Sequence, residues 1–226
     1  MISVIIPTLN EERALAATLD AILDQPVDSE VIVVDGGSVD RTPQIVKETS
    51  ARHPRLQLLR MAPGRALQMN AGAEAARGDW LLFLHADTLL PQNGFSAIEN
   101  QPETIQAGCF THRFSGTSAM LRNLSWFHNH RFGLTRVIYG DQAMFIRRDL
   151  FERLEGFPVQ PMEDIAFGLE LRAATVPVML PEVVTTDSRK FDQMGHWRAL
   201  AHSVLLLLRF RFGADVSGDR FFRNYR

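Results

Sequence analysis

The chain has 226 residues, 46% of them hydrophobic, enough to bury one good core and to make one domain the natural expectation. A net charge of −2 gives no global pull toward nucleic acid, and a single cysteine, Cys109, excludes an internal disulfide and suits a reducing compartment. The opening "MISVIIPTLNEE" carries no basic segment and reaches a proline and acids by its twelfth residue, so it does not read as a signal peptide.

Taken in order, Ser3 to Ile6 is an apolar, β-branched run that predicts a strand. Leu15, Leu19, Ile22 and Leu23 fall at helical spacing and predict an amphipathic helix over 11–24. "EVIVVD", Glu30 to Asp35, predicts a second, buried strand, followed by the loop "GGSVDRTP" and a helix from Thr42 to Arg52. "LQLLR" at 56–60 is a third strand, and "RALQMNAGAEAARG" a helix with Gly78 just beyond its end. "WLLFLHAD" is the fourth strand. Strand and helix thus alternate over about the first 90 residues, which predicts an α/β fold: a mainly parallel central sheet with helices on both faces. Ligands in such sheets bind beyond the carboxyl ends of the strands, and that rule gathers Asn10, Asp35 and Asp87 on one edge.

The second half is less regular. Residues 91–101 read as a helix and 105–114 as extended, while "SAMLRNLSWFHNHRF" reads as an amphipathic helix or a long loop. "VIYGDQAMFIRR" is a strand candidate broken by Gly140 and Asp141. "DLFERLEGF" is a short helix ended by Gly156, "MEDIAFGLELRAA" a helix starting near Glu163, and a last helix covers about 196–212. Within that last stretch the apolar block Ala199 to Leu208 is interrupted by His202 and closed by Arg209, short of the roughly 20 apolar residues that span a bilayer.

Four clusters bear on chemistry, each with a plain structural alternative. In "PTLNEE", Thr8 and Glu11 have capping-box spacing. In "VVDGGSVDRT", Asp35 ends a strand and two glycines free the backbone beside it; the acid suits a ribose hydroxyl or a base N–H, whereas Asp40 suits a helix cap. No GxxxxGK[ST] and no GxGxxG follows the first strand, which excludes a P-loop and argues against a dinucleotide fingerprint. In "LHAD", His85 and Asp87 stand two apart on an extended chain, on one side of it, and would suit a divalent cation bridging to phosphate; a turn-capping Asp and an ordinary buried His are the alternative. In "MEDIAF", Glu163 and Asp164 suit a helix N-terminus, or one of them a general base.

In this order the blocks "SVIIPTLNEE", "VIVVDGGSVDRT", "PGRALQMNAGAEAARGDWLLFLHADT", "YGDQAMFIRRDLFERLEGF" and "MEDIAFGLELR" resemble a family 2 glycosyltransferase of the GT-A fold. More narrowly the chain is similar to a compact bacterial branch with HAD where relatives carry DxD, and the resemblance runs from about Met1 to Arg189. It implies a single glycosyltransferase domain over 1–226: a nucleotide-sugar-binding half over about 1–90, an acceptor half over about 91–190 and a helical region over about 191–226. By position, it implies that Pro7, Thr8, Asn10 and Glu11 form the first nucleotide-binding loop and that Asp35 meets the uracil or ribose, with Gly36, Ser38 and Asp40 adjoining. Arg65 would lie near the nucleotide, followed by Asn70-Ala71-Gly72, and Gly140, Asp141 and Gln142 near the sugar or acceptor. Asp87 would be the metal ligand, with His85 standing where the first acid of DxD usually sits, and Asp164 the general base with Glu163 as its neighbour.

The implied cofactor is a divalent cation, Mg2+ or Mn2+; the implied partners are a nucleoside diphosphate sugar, UDP-linked by family default, and an acceptor hydroxyl, with a lipid-linked acceptor as one option. The implied chemistry is inverting transfer, in the cytoplasm or at the inner face of the membrane. Arg189, Lys190, His196 and Arg198 either meet the diphosphate or are solvated, and the apolar helix with Arg209 and Arg211 either packs on the domain or lies on anionic lipid. Trp126, Phe127 and Phe132 either face the acceptor or belong to the core. Two rivals remain: a nucleotidyltransferase, against which "PTLNEERA" offers no glycine or lysine, and a non-catalytic nucleotide-sugar-binding homologue, which the His85 departure keeps open and the presence of both Asp87 and Asp164 argues against.

Overall fold

A computed structural model of the protein describes residues 1–189 and, further on, positions 201, 202, 205, 206 and 209. Four strands, β1 (Ile2–Thr8), β2 (Ser29–Asp35), β3 (Leu56–Arg60) and β4 (Trp80–Phe83), pair in parallel in the order β3-β2-β1-β4. Between them run α1 (Leu15–Leu23), α2 (Thr42–Ser50) and α3 (Arg65–Ala75), so the alternation expected from the sequence is present. The helix expected over 11–24 begins four residues later than predicted, because Thr8 is still in the strand and its hydroxyl donates to the Val34 carbonyl at 3.3 Å rather than capping a helix.

The sheet then continues with strands of mixed direction. β5 (Thr88–Leu89), β6 (Ala107–Phe114), β7 (Met144–Arg147) and β8 (Val178–Thr186) complete the order β3-β2-β1-β4-β7-β6-β8-β5. β7 lies antiparallel between β4 and β6, while β6 and β8 pair in parallel. Helices α4 (Gly94–Glu99), α5 (Ala119–Thr135), α6 (Arg148–Arg153) and α7 (Glu163–Ala174) fill the connections, and a 3-10 turn spans Gly140–Gln142. Gly156, expected as a helix stop, has φ +76°, a left-handed value that few residues other than glycine adopt easily, three residues beyond α6.

Strand residues alternate between two cores, as a sheet covered on both faces requires. Ile2, Val4, Ile6, Val31 and Val33 pack with Leu15, Leu19 and Ile22 of α1 and Val46 of α2. Ile5, Ile32, Val34, Leu81 and Phe83 pack on the opposite face with Ala66 and Met69 of α3, Phe151 of α6 and Phe167 of α7. Each such aliphatic or aromatic side chain contributes about 1.5–3 kcal/mol on full burial. No helix among the described residues is long and apolar enough to cross a membrane. The expectations at Lys190, His196, Arg198 and Arg211, and most of the helix expected over 196–212, lie outside the described residues.

Candidate active site

The chain runs outward from β1 to β3 and then crosses back to place β4 on the other side of β1. This reversal leaves a crevice beyond the carboxyl ends of β1 and β4, the position where open α/β sheets hold ligands. A cleft opens there, lined by Pro7 and Thr8 at the end of β1 and Glu11 beyond it, His85 and Asp87 after β4, and Arg65 at the start of α3. These six are all residues that the resemblance implies for the site.

β4 ends at Phe83, earlier than expected, and residues 85–88 form a turn in which the Thr88 N–H donates to the His85 carbonyl at 3.1 Å. The strand pleat therefore does not set the relation of His85 to Asp87. Tertiary contacts do: Thr18 of α1 donates its hydroxyl to the Ala86 carbonyl at 2.8 Å, the Asp87 carbonyl accepts from Asp187 N–H at 2.9 Å, and Thr88 and Thr186 share a hydroxyl contact at 3.0 Å. The turn is thereby fixed on three sides with both side chains facing the cleft.

The loop after β1 is laced to the loop after β2. Asn10, at φ 56°, donates its N–H to the Ser38 hydroxyl at 2.8 Å and accepts from Val39 N–H at 2.9 Å. The Glu12 N–H donates to Asp40 at 3.1 Å, and the Asp40 carboxylate also accepts from Thr42 N–H at 2.9 Å, starting α2. Asp35 is only 2% exposed, and its carboxylate turns its own loop by accepting from Gly37 and Ser38 N–H at 3.2–3.3 Å. Gly36 packs on the amide of Gln68, which donates to the Thr8 and Val34 carbonyls at 2.8 and 2.7 Å. In the structure, Asn10, Asp35, Ser38 and Asp40 shape the loops of the cleft.

On the other side of the crevice stands the start of α7. Glu163, buried, forms an ion pair with Arg65, joining two residues 98 positions apart. Asp164 accepts from Gly140 N–H at 2.8 Å and from Ile165 N–H at 2.9 Å, which aims its carboxylate at the 3-10 turn. A Cβ on Gly140 would lie 2.8 Å from His85 Nε2 and 3.2 Å from Asp164 Oδ2, so imidazole and carboxylate converge on the bare face of this glycine. Gln142, by contrast, is wholly buried and holds the turn, accepting from Arg131 at 3.0 Å and from Tyr139 N–H at 3.2 Å. Asp141 faces His112 and His128 instead of Asp87.

The electrostatics follow from burial. His85 keeps part of its surface on the cleft, yet the protein mass around the ring pushes its pKa down to about 4, helped by Arg65 and opposed by Asp87, Asp141 and Asp164. The imidazole is therefore neutral at physiological pH, with a lone pair available. Two carboxylates, Glu11 and Asp87, line the cleft with Arg65, and Arg189 pairs with Glu11. An anionic ligand there would be repelled by these acids unless a cation stood between, and one carboxylate with one neutral imidazole is a donor set that leaves most positions of a cation to ligand oxygens and water. The residues present therefore fit a divalent cation.

Of the side chains whose role was open, Phe132 is 1% exposed and belongs to the core, whereas Trp126 and Phe127 of α5 are 60% and 57% exposed. Sequence reasoning missed the Arg65–Glu163 and Arg189–Glu11 pairs and the cluster of His112, His128 and Asp141. The one signal for the cluster was three potential ligands within thirty residues, at no regular spacing.

The family described as glycosyl transferase family 2 matches residues 3–154. The chain is 27% identical, over 86% of its length and 78% of the relative's, to a PGL/p-HBAD biosynthesis glycosyltransferase of Mycobacterium bovis. It superposes with a TM-score of 0.65 and 25% identity on a mannosyltransferase from Pyrobaculum calidifontis, solved with GDP-Man and Mn2+, covering 81% of this chain but only 56% of that one. A glucosyl-3-phosphoglycerate synthase from Mycobacterium tuberculosis shares the fold with a TM-score of 0.62 at 22% identity, over 96% of this chain and 80% of that one. The fold is thus that of GT-A glycosyltransferases, and the chain belongs to glycosyl transferase family 2.

Proposed function

We propose that the chain transfers a sugar from a nucleoside diphosphate sugar to an acceptor hydroxyl, with inversion at the anomeric carbon. The observation that carries this reading is the meeting of His85 and Asp164, from opposite sides of the crevice, at Gly140 beside the cleft that Asp87, Arg65 and Glu11 line. The diphosphate would lie along that cleft, with Asp87 and His85 holding a divalent cation, Mg2+ or Mn2+, on it. Such a cation neutralises charge on a leaving diphosphate. Arg65, held by Glu163, adds a fixed positive charge on the same wall.

Asp164 is the base. Its carboxylate is held by two backbone N–H groups, Gly140 in the 3-10 turn and Ile165 in the first turn of α7, so one geometry is favoured before any acceptor arrives. It would take the proton of the acceptor hydroxyl as that oxygen attacks the anomeric carbon from the face opposite the diphosphate. Asp35, Ser38 and the Asn10 loop would frame the nucleoside end. UDP-linked donors are the first choice by family default, and the GDP-Man held by the Pyrobaculum relative makes GDP-linked donors the second.

The test is release of free nucleoside diphosphate from UDP- and GDP-linked hexoses with Mn2+, water standing in for the acceptor. The wild-type chain should release it from at least one donor. Asp164→Asn should lower the rate by about 10²–10⁴-fold, the usual worth of a general base, with an unchanged far-UV circular dichroism spectrum. Equal rates in the two proteins would remove Asp164 from the mechanism. Saturable donor binding without any turnover would favour a non-catalytic nucleotide-sugar-binding protein.

A further inference from the structure

His112 on β6, His128 on α5 and Asp141 in the 3-10 turn come together from three separate elements, and none of the three lines the donor cleft. One ligand-capable atom from each lies within 4.8 Å of the other two. His128 Nδ1 is 3.4 Å and His112 Nε2 3.8 Å from Asp141 Oδ2. Both separations exceed the 2.7–3.2 Å of an N–H···O hydrogen bond. Both ring nitrogens of His112, Nδ1 of His128 and Oδ1 of Asp141 are buried and, among the described residues, make no hydrogen bond. Leaving one such group unpaired costs about 1–3 kcal/mol, and one cation would engage His112 Nε2, His128 Nδ1 and an Asp141 oxygen together.

We propose that His112, His128 and Asp141 form a second cation site, separate from the one at Asp87 and His85, which takes a borderline divalent transition metal, zinc in the first instance. Bonds of 2.0–2.2 Å at tetrahedral angles put neighbouring ligand atoms about 3.4 Å apart, close to the spacing found here. Two imidazoles and one carboxylate suit zinc far better than magnesium or calcium, which prefer oxygen alone. The frame is rigid: Asn129, next to His128, clamps α5 to β6 by accepting from His112 N–H at 2.9 Å and donating to its carbonyl at 3.0 Å. Rings close the surroundings, Phe114 edge-on to His112 at 4.5 Å and Tyr139 edge-on to His128 at 5.5 Å. The side chains of Asp141 and His128 keep 22% and 16% of their surface, so the cluster is not sealed from solvent, and a water completes the proposed four-coordinate set.

The site is tested on tag-free, chelator-stripped protein, by zinc titration followed by dialysis and elemental analysis. About one zinc per chain should be retained by the wild type and by Asp87→Asn, and retention should fall at least tenfold in His128→Gln and in His112→Gln. Cobalt(II) added to the wild type alone should give the intense visible bands of a four-coordinate site, a readout that needs no variant to fold. Absence of retained zinc, loss in Asp87→Asn with retention in both histidine variants, or cobalt spectra showing only faint six-coordinate bands would each overturn the proposal. None of these readouts depends on sugar transfer, so failure here leaves the reading of the donor cleft standing.

Discussion

Gly140 is the residue on which the proposed chemistry turns. Its missing Cβ lets His85 Nε2 and Asp164 Oδ2 share one space, and a methyl group there would sit 2.8 Å from the first and 3.2 Å from the second. Gly140→Ala should therefore lower the rate of donor cleavage by at least about tenfold, the equivalent of ~1.4 kcal/mol in the barrier, because the base or the imidazole must move. The test is steady-state kinetics beside a melting curve; an unchanged rate would show that the two groups need not converge. Glu163 makes a different prediction. Its carboxylate is buried against Arg65, and a hydrogen bond to a charged group contributes about 1.5–3 kcal/mol, so Glu163→Gln should lower unfolding free energy by ~2 kcal/mol in urea titrations. His85 sets a pH dependence. Its pKa falls from 6.5 in the unfolded chain to about 4 when folded, so between these values the unfolded chain binds the extra proton. Cation-free protein should lose stability as pH falls from 6.5 toward 4, and His85→Gln should flatten that slope.

The elements that carry these residues were legible to different degrees. β1 and β2 announce themselves as short β-branched runs and β3 and β4 as short leucine-rich ones, because a sheet covered on both faces buries nearly every strand residue, and α1 announces itself by helical spacing. β8 does not: "VMLPEVVTT" contains Pro181 and Glu182, which break an apolar run. The structure shows why they are tolerated. Phe110 pairs with Leu180 and Thr111 with Val183, so Pro181 and Glu182 fall in the register shift, where the ladder is interrupted and a missing N–H does little harm. The site follows the same division. Acids at strand ends and helix starts stand out in sequence, but the pairings Arg65–Glu163 and Arg189–Glu11 depend on how distant elements pack. Likewise Asp40 reads as a helix cap, and only the fold reveals that it also fastens the Glu12 N–H. Asp40→Ala should then cost about 1 kcal/mol of stability, the usual loss of a cap, and weaken donor binding by loosening the loop after β1. Calorimetric titration with UDP and Mn2+ checks the second half of that statement.

At the scale of the whole molecule, the chain is a parallel half and a mixed half joined across β4 and β7, and the crevice lies where the strand order reverses. The parallel half supplies Glu11, Arg65, His85 and Asp87; the mixed half supplies Asp164 through α7 and the 3-10 turn. Binding a donor at that seam should stabilise the assembly by mass action, by ~2.7 kcal/mol at a ligand concentration a hundred times Kd. The most direct test is the melting temperature of the wild-type chain and of Asp87→Ala with UDP or GDP, each with and without Mn2+. A rise for one nucleotide that needs Mn2+ and vanishes in Asp87→Ala is the predicted result. No rise with either nucleotide, or the same rise in both proteins, would contradict it.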